Sequence, residues 1–172
     1  MFETLVSLVC PQNLFPLSVH VVLPVPSVTE PNHPLKLQES RSYFKLFMGD
    51  VGLLTCSYGL EALKRMLCDD LDISCGSLFE NAVAQELMAR GHDLHYYRSK
   101  GIGEVDFVLE RGSGTVQLVQ VKSGKSYKRH SALTKLLARE DHAIDSAVVL
   151  REDNLSVVDK VAYCPVYMAM CL

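Results

Sequence analysis

No apolar run in this sequence reaches the roughly 18 residues that a membrane-spanning helix requires, so a soluble chain with no membrane partner is expected. A secretory leader is not expected either: the start has no basic n-region, and Pro11 and Pro16 interrupt its apolar stretch. The six cysteines (Cys10, Cys56, Cys68, Cys75, Cys164 and Cys171) form no CxxC pair and no zinc-type cluster. Several sit in apolar runs, as buried free thiols do, and a reducing cytoplasm is the expected compartment. The six histidines are scattered and make no metal-ligand pair. Two glycine motifs are incomplete. Ser123-Gly124-Lys125-Ser126 resembles the end of a P-loop, but Val119 stands where its first glycine belongs; Gly101-Ile102-Gly103 lacks the third glycine of a dinucleotide fingerprint. No ATP site is expected.

Uniform positive charge is also absent. The net charge of -3 excludes a chain that is basic throughout, but it does not exclude a local patch. Residues 95 to 130 carry seven basic side chains (Arg98, Lys100, Arg111, Lys122, Lys125, Lys128, Arg129) and three acidic ones (Glu104, Asp106, Glu110), giving +4 there and -7 elsewhere. A phosphate-bearing partner would meet that segment.

What is present suits a folded domain: 48% apolar and 22% charged residues supply a core and a solvated surface. Six prolines between Pro11 and Pro34 leave room only for short strands such as Val19 to Leu23 and forbid long helices there. Tyr43 to Phe47 reads as a strand, Gly49-Asp50 as a turn and Leu60 to Leu67 as a short helix. The acidic stretch from Cys68 to Ile73 reads as a linker, with a domain boundary near residue 72. Beyond it, Ser77-Leu78-Phe79-Glu80 is a capping-box pattern and Gly91 a stop, which predicts a helix over 78–90. Strands are expected at Leu94 to Arg98, Glu104 to Glu110 and Val116 to Lys122, the last two joined by the glycine-rich turn Arg111-Gly112-Ser113-Gly114. A helix at Ser131 to Arg139, a strand at Ala147 to Leu150 and a β-rich tail follow. The fold class is α/β (α+β).

Chemistry points to the central hairpin. Alternation places Val105, Phe107 and Leu109 on one face and Glu104, Asp106 and Val108 on the other. Asp106 breaks an apolar stretch where strand propensity gives it no reason to be. Gln120 and Lys122 end the next one. If these strands bring an acid, an amide and a lysine together beside Glu80, hard cations such as Mg²⁺ would find oxygen ligands there, and the lysine could orient a metal-bound water. The plainer readings are that Glu80 only caps its helix, that Gln120 is a half-exposed strand residue, that Lys122 is a strand-end lysine, and that Lys125, Lys128 and Arg129 form a solvated face.

Gly76-Ser77-Leu78-Phe79-Glu80-Asn81, Tyr96-Tyr97-Arg98, Glu104-Val105-Asp106-Phe107-Val108 and Val119-Gln120-Val121-Lys122-Ser123-Gly124, in that order, resemble the C-terminal domain of unknown function 4143 of prokaryotic AAA-type ATPases. Tyr163-Cys164-Pro165-Val166-Tyr167-Met168 is similar to that family's ending, and Tyr43 to Leu54 to the stretch preceding the nuclease-like fold, after a winged-helix module. The resemblance implies a PD-(D/E)XK restriction-endonuclease-like core, helix-strand-strand-strand-helix-strand, over residues 73–172. A partial winged-helix-like segment and linker would occupy 1–72. It implies a catalytic group of Asp106, Gln120, Lys122 and Glu80, with Asp106, Glu80 and Gln120 as Mg²⁺ ligands. Arg98, Lys100, Lys125, Lys128 and Arg129 would contact nucleic acid, and an ATPase or another protein is the other implied partner. Two departures stand out. Gln120 occupies the place of an acid, which removes a negative charge from the ligand set. The ATPase domain and its Walker lysine are not in this sequence, as in a truncated or separated fragment.

Overall fold

The computed structural model describes residues 22–67, 75–123, 131–139 and 142–172. Its order is β1 (Val22–Val28), a 3-10 turn (Leu35–Gln38), β2 (Glu39–Met48), α1 (Val51–Ser57), α2 (Leu60–Leu67), α3 (Gly76–Ala89), β3 (His95–Ser99), β4 (Gly103–Glu110), β5 (Val116–Val121), α4 (Ser131–Leu137), β6 (Ile144–Arg151), β7 (Ser156–Val158), β8 (Val161–Pro165) and a 3-10 helix (Val166–Cys171). The strands form one mixed sheet of eight, ordered β2-β1-β3-β4-β5-β6-β8-β7. Every residue of β5 is buried, because the sheet centre is covered on both sides. On one face Val83, Ala84 and Leu87 of α3 pack with Phe107, Leu109, Val119, Val121, Val148, Leu150 and Ala169. On the other, Ala132, Leu133 and Leu136 of α4 pack with Val105, Val108, Val116, Leu118, Ala147 and Val149.

The boundary expected near residue 72 lies outside the described residues, as do Lys125, Lys128 and Arg129. On either side of residue 72 the chain shares the sheet: Ser27 and Val28 of β1 pair in parallel with Tyr96 and Tyr97 of β3. Two prolines fit within β1 because this pairing begins only after them. Pro24 and Pro26 face Leu46 and Phe44 of β2, and the edge of β1 that β3 uses is unpaired until Ser27, so a missing N–H there costs no ladder bond.

The expected capping box is not formed at the start of α3. Cys75 holds the N-cap position without a side-chain cap, and Ser77 lies inside the helix with its Oγ 2.8 Å from the Tyr58 hydroxyl. Glu80 therefore has no capping duty. Past the turn expected at Gly49-Asp50 the chain enters α1, and Asp50 is the cap of that helix, accepting from the Leu53 N–H at 3.1 Å.

Asn81 fixes α3 to β2. Its side chain is buried, its Oδ1 accepts from the Met48 N–H at 2.7 Å and its Nδ2 donates to the Met48 carbonyl at 3.0 Å. An Asn81→Leu exchange strands both backbone groups. Urea unfolding is expected to show a loss of roughly 2–4 kcal/mol; a loss below about 1 kcal/mol would mean that water replaces the amide.

Candidate functional site

The expected strict alternation along β4 fails at its middle, and that failure builds the site. In the pairing of β3 with β4, His95 faces Val108 and Tyr97 faces Val105, so Asp106 and Phe107 together oppose Tyr96. This is a β-bulge. Val105 accordingly turns to the α4 face while Phe107 and Leu109 keep to the α3 face, where Phe107 meets Phe47 with ring centroids 5.6 Å apart.

The pairing of β4 with β5 ends at Phe107 and Val119, which leaves the next residues to the Asp106 side chain. Lys122 N–H donates to the Leu150 carbonyl of β6 at 2.8 Å, so the preceding N–H, that of Val121, points the opposite way, toward β4. The Asp106 carboxylate, not the β4 backbone, receives it: Oδ2 accepts from Val121 N at 2.7 Å. The same oxygen accepts from Gln120 Nε2. Gln120 is buried and turns its amide NH₂ toward the acid, the only arrangement in which it can donate to an ionised carboxylate.

The other oxygen, Oδ1, faces a residue outside the expected site set. Lys45 of β2 places its Nζ 3.8 Å from Asp106 Oδ1, 3.5 Å from Glu80 Oε2 and 2.6 Å from Glu104 Oε1. It also lies 5.2 Å from the centroid of the Tyr96 ring, within cation–π range. Three carboxylates thus gather on one ammonium. The surrounding acids hold the Lys45 ammonium above its ordinary pKa, although burial, the largest single influence, opposes this. Asp106 moves up from 3.8 to about 6, first because burial penalises its charge and then because Glu80 repels it; the Val121 hydrogen bond, Lys45 and Lys122 act the other way.

Of the expected site residues, Asp106 and Gln120 are therefore in contact, and Glu80 joins Asp106 through Lys45. Lys122 lies half-buried just past the end of β5, and its charge reaches Asp106. The residues do not fit a divalent ion. One Asp106 oxygen is saturated by two N–H donors, the Gln120 amide presents its nitrogen to the centre, and Glu80 and Glu104 are engaged by Lys45. Among the described residues no group of three His, Cys, Asp or Glu side chains is arranged to hold a metal.

Beside this centre a cleft of about 540 Å³ is lined by Ser27, Tyr43, Arg98, Ser99, Lys100, Gly103 and Glu104. Tyr43 is 64% exposed, and Arg98 and Lys100 are exposed as well. Glu104 connects the two regions, with Arg98 Nε 3.7 Å from its second oxygen. Gly103 floors the cleft with φ +119°, and a Cβ there would come within 3.0 Å of Ala132. Arg111, counted in the basic stretch, is used elsewhere: it donates to Gln117 Oε1 and to the Leu172 carbonyl. No described helix is long and apolar enough to cross a membrane.

A family model described as a domain of unknown function (DUF4143) matches residues 75–168, more than half of the chain. No curated protein and no solved structure matches it.

Proposed function

The chain belongs to the DUF4143 family, and from that premise we propose that it is a PD-(D/E)XK nuclease-like domain that binds nucleic acid without a divalent ion and without cutting it. The observation that carries this reading is the Gln120–Asp106 pair. The order helix, three strands, helix and strand from α3 to β6 supports this reading, in which Asp106, Gln120 and Lys122 would take the places of the acid, the second acid and the lysine. In that frame the second acid brings charge and an oxygen ligand; Gln120 brings an N–H that consumes an oxygen of Asp106.

The cleft supports binding. An exposed tyrosine beside an arginine and a lysine offers a stacking surface next to phosphate contacts, the combination that holds unpaired bases and their backbone. Lys122 extends the positive charge toward the end of β5. A protein partner, an ATPase among them, is the competing occupant, and neither bases nor phosphates would be needed for it.

Fluorescence anisotropy with single-stranded DNA and RNA over a salt series separates these. Binding is expected to weaken steeply with salt. Arg98→Ala combined with Lys100→Ala is expected to reduce the slope of log K against log salt by about 1.4, near 0.7 for each single-strand phosphate no longer neutralised. Tyr43→Ala is expected to weaken every sequence alike, by roughly 1–3 kcal/mol. Absence of affinity at low salt would replace the nucleic acid with a protein partner.

A further inference from the structure

Lys45 reaches the acidic centre from the β1–β2 hairpin, a part of the sheet outside the helix and strands that carry the nuclease-like pattern. Its side chain is only 22% exposed, and its ammonium has a carboxylate oxygen within 4 Å on each of Glu80, Glu104 and Asp106. These acids come from three separate points of the chain, one on α3 and two on β4. A surface lysine gains little by such convergence, because one carboxylate in solvent satisfies it. Here the ammonium stands where a buried Asp106 and the half-buried Glu80 and Glu104 would otherwise repel one another.

We propose that Lys45 is a built-in counter-ion: its ammonium takes the place of a divalent cation among Glu80, Glu104 and Asp106, and so excludes metal from this centre. The inference rests on the nuclease-like reading for the comparison with a metal site, but not on nucleic-acid binding. The chemistry is that of charge and size. An ammonium is a monovalent, three-donor cation that donates to carboxylates at hydrogen-bonding distance. Mg²⁺ or Mn²⁺ needs six oxygens at about 2.0–2.2 Å and carries twice the charge, so the two cannot share the same three acids. Because Lys45 is covalently held, its effective concentration at the centre does not fall when free metal is removed.

The test is Mn²⁺ binding, followed by electron paramagnetic resonance of the free ion and by calorimetry, on the whole chain and on Lys45→Gln and Lys45→Met. The unaltered chain is expected to take up no Mn²⁺ at this centre. Each variant is expected to bind it at least roughly tenfold more tightly than the weakest binding the titration would detect in the unaltered chain, and a further Glu80→Gln exchange is expected to abolish the gain. Where a variant folds poorly without metal, its circular-dichroism signal is expected to become Mn²⁺-dependent, a response the unaltered chain lacks. Tight Mn²⁺ binding by the unaltered chain that Asp106→Asn removes would overturn the proposal, as would variants that bind no better or whose gain survives Glu80→Gln. Failure of nucleic-acid binding in the anisotropy experiment would leave this result untouched, so the two readings fail separately.

Discussion

Replacing Lys45 with methionine is expected to destabilise the fold by roughly 1–3 kcal/mol near pH 8, below the cost of deleting one partner of a fully buried ion pair because Glu80 and Glu104 are about a third exposed. Methionine keeps much of the length and the apolar stem, so the loss isolates the charge. The ammonium is contacted by Glu104 at 2.6 Å, Glu80 at 3.5 Å and Asp106 at 3.8 Å, and without it these three acids face one another. The sign with pH follows directly. Lys45 lowers the pKa of Asp106, so removing it raises that pKa further and makes ionisation costlier in the folded state. The penalty is therefore largest at high pH and shrinks as Asp106 takes up its proton below about pH 6. Chemical denaturation of both proteins at several pH values measures it. A penalty equal at pH 5 and pH 8 would mean that Lys45 contributes packing alone.

The second large effect belongs to Asp106. Its folded pKa, about 6, lies above the ordinary 3.8, so the folded state holds this proton more tightly than the unfolded chain does. Its contribution to stability is fully present below about pH 4 and is lost as pH rises through about 6, on the order of 3 kcal/mol in total. Asp106→Asn keeps an oxygen for the Val121 and Gln120 N–H groups and removes the titration. The variant is expected to gain on the unaltered chain across that window and to be the more stable of the two at pH 8. Glu80, Lys45 and Lys122 act on the Asp106 charge itself, so their effects are already contained in its raised pKa and vanish with the charge in the variant. Stability curves that stay parallel from pH 4 to pH 8 would show that Asp106 does not hold its proton in this way.

The sheet centre is legible in the sequence because burial on both faces leaves near-continuous apolar runs at β4, β5 and β6, interrupted only where chemistry intrudes. Asp106 is visible as such an interruption. Lys45 carries the same signal, a charge set in Tyr43-Phe44-Lys45-Leu46-Phe47, but the approach of β2 to the distant β4 region has no local signature that would name its partners. Glu104 shares a face with Asp106, as alternation expects, and gains a role only through that lysine. The bulge is illegible for a different reason. Its extra residue keeps the composition of a strand and shows only in the register against β3, so alternation groups Val105 with Phe107 although it packs on the opposite side. At Ser77 and Glu80 the capping pattern is genuine, yet the helix begins at Gly76 and the hydroxyl goes to Tyr58. Tertiary contacts outcompete the local motif there, and Glu80 is released for the acidic centre.

Metal independence is the claim most open to direct challenge, and one titration reaches it. Anisotropy of a labelled single strand, read with EDTA and again with Mn²⁺ at matched ionic strength, with the probe then run on a denaturing gel, reports binding and cleavage together. The same affinity in both and an intact probe are the results expected from an Asp106 closed by Gln120 and Val121 and an acidic centre filled by Lys45. Mn²⁺-dependent cutting that disappears in Asp106→Ala would contradict it.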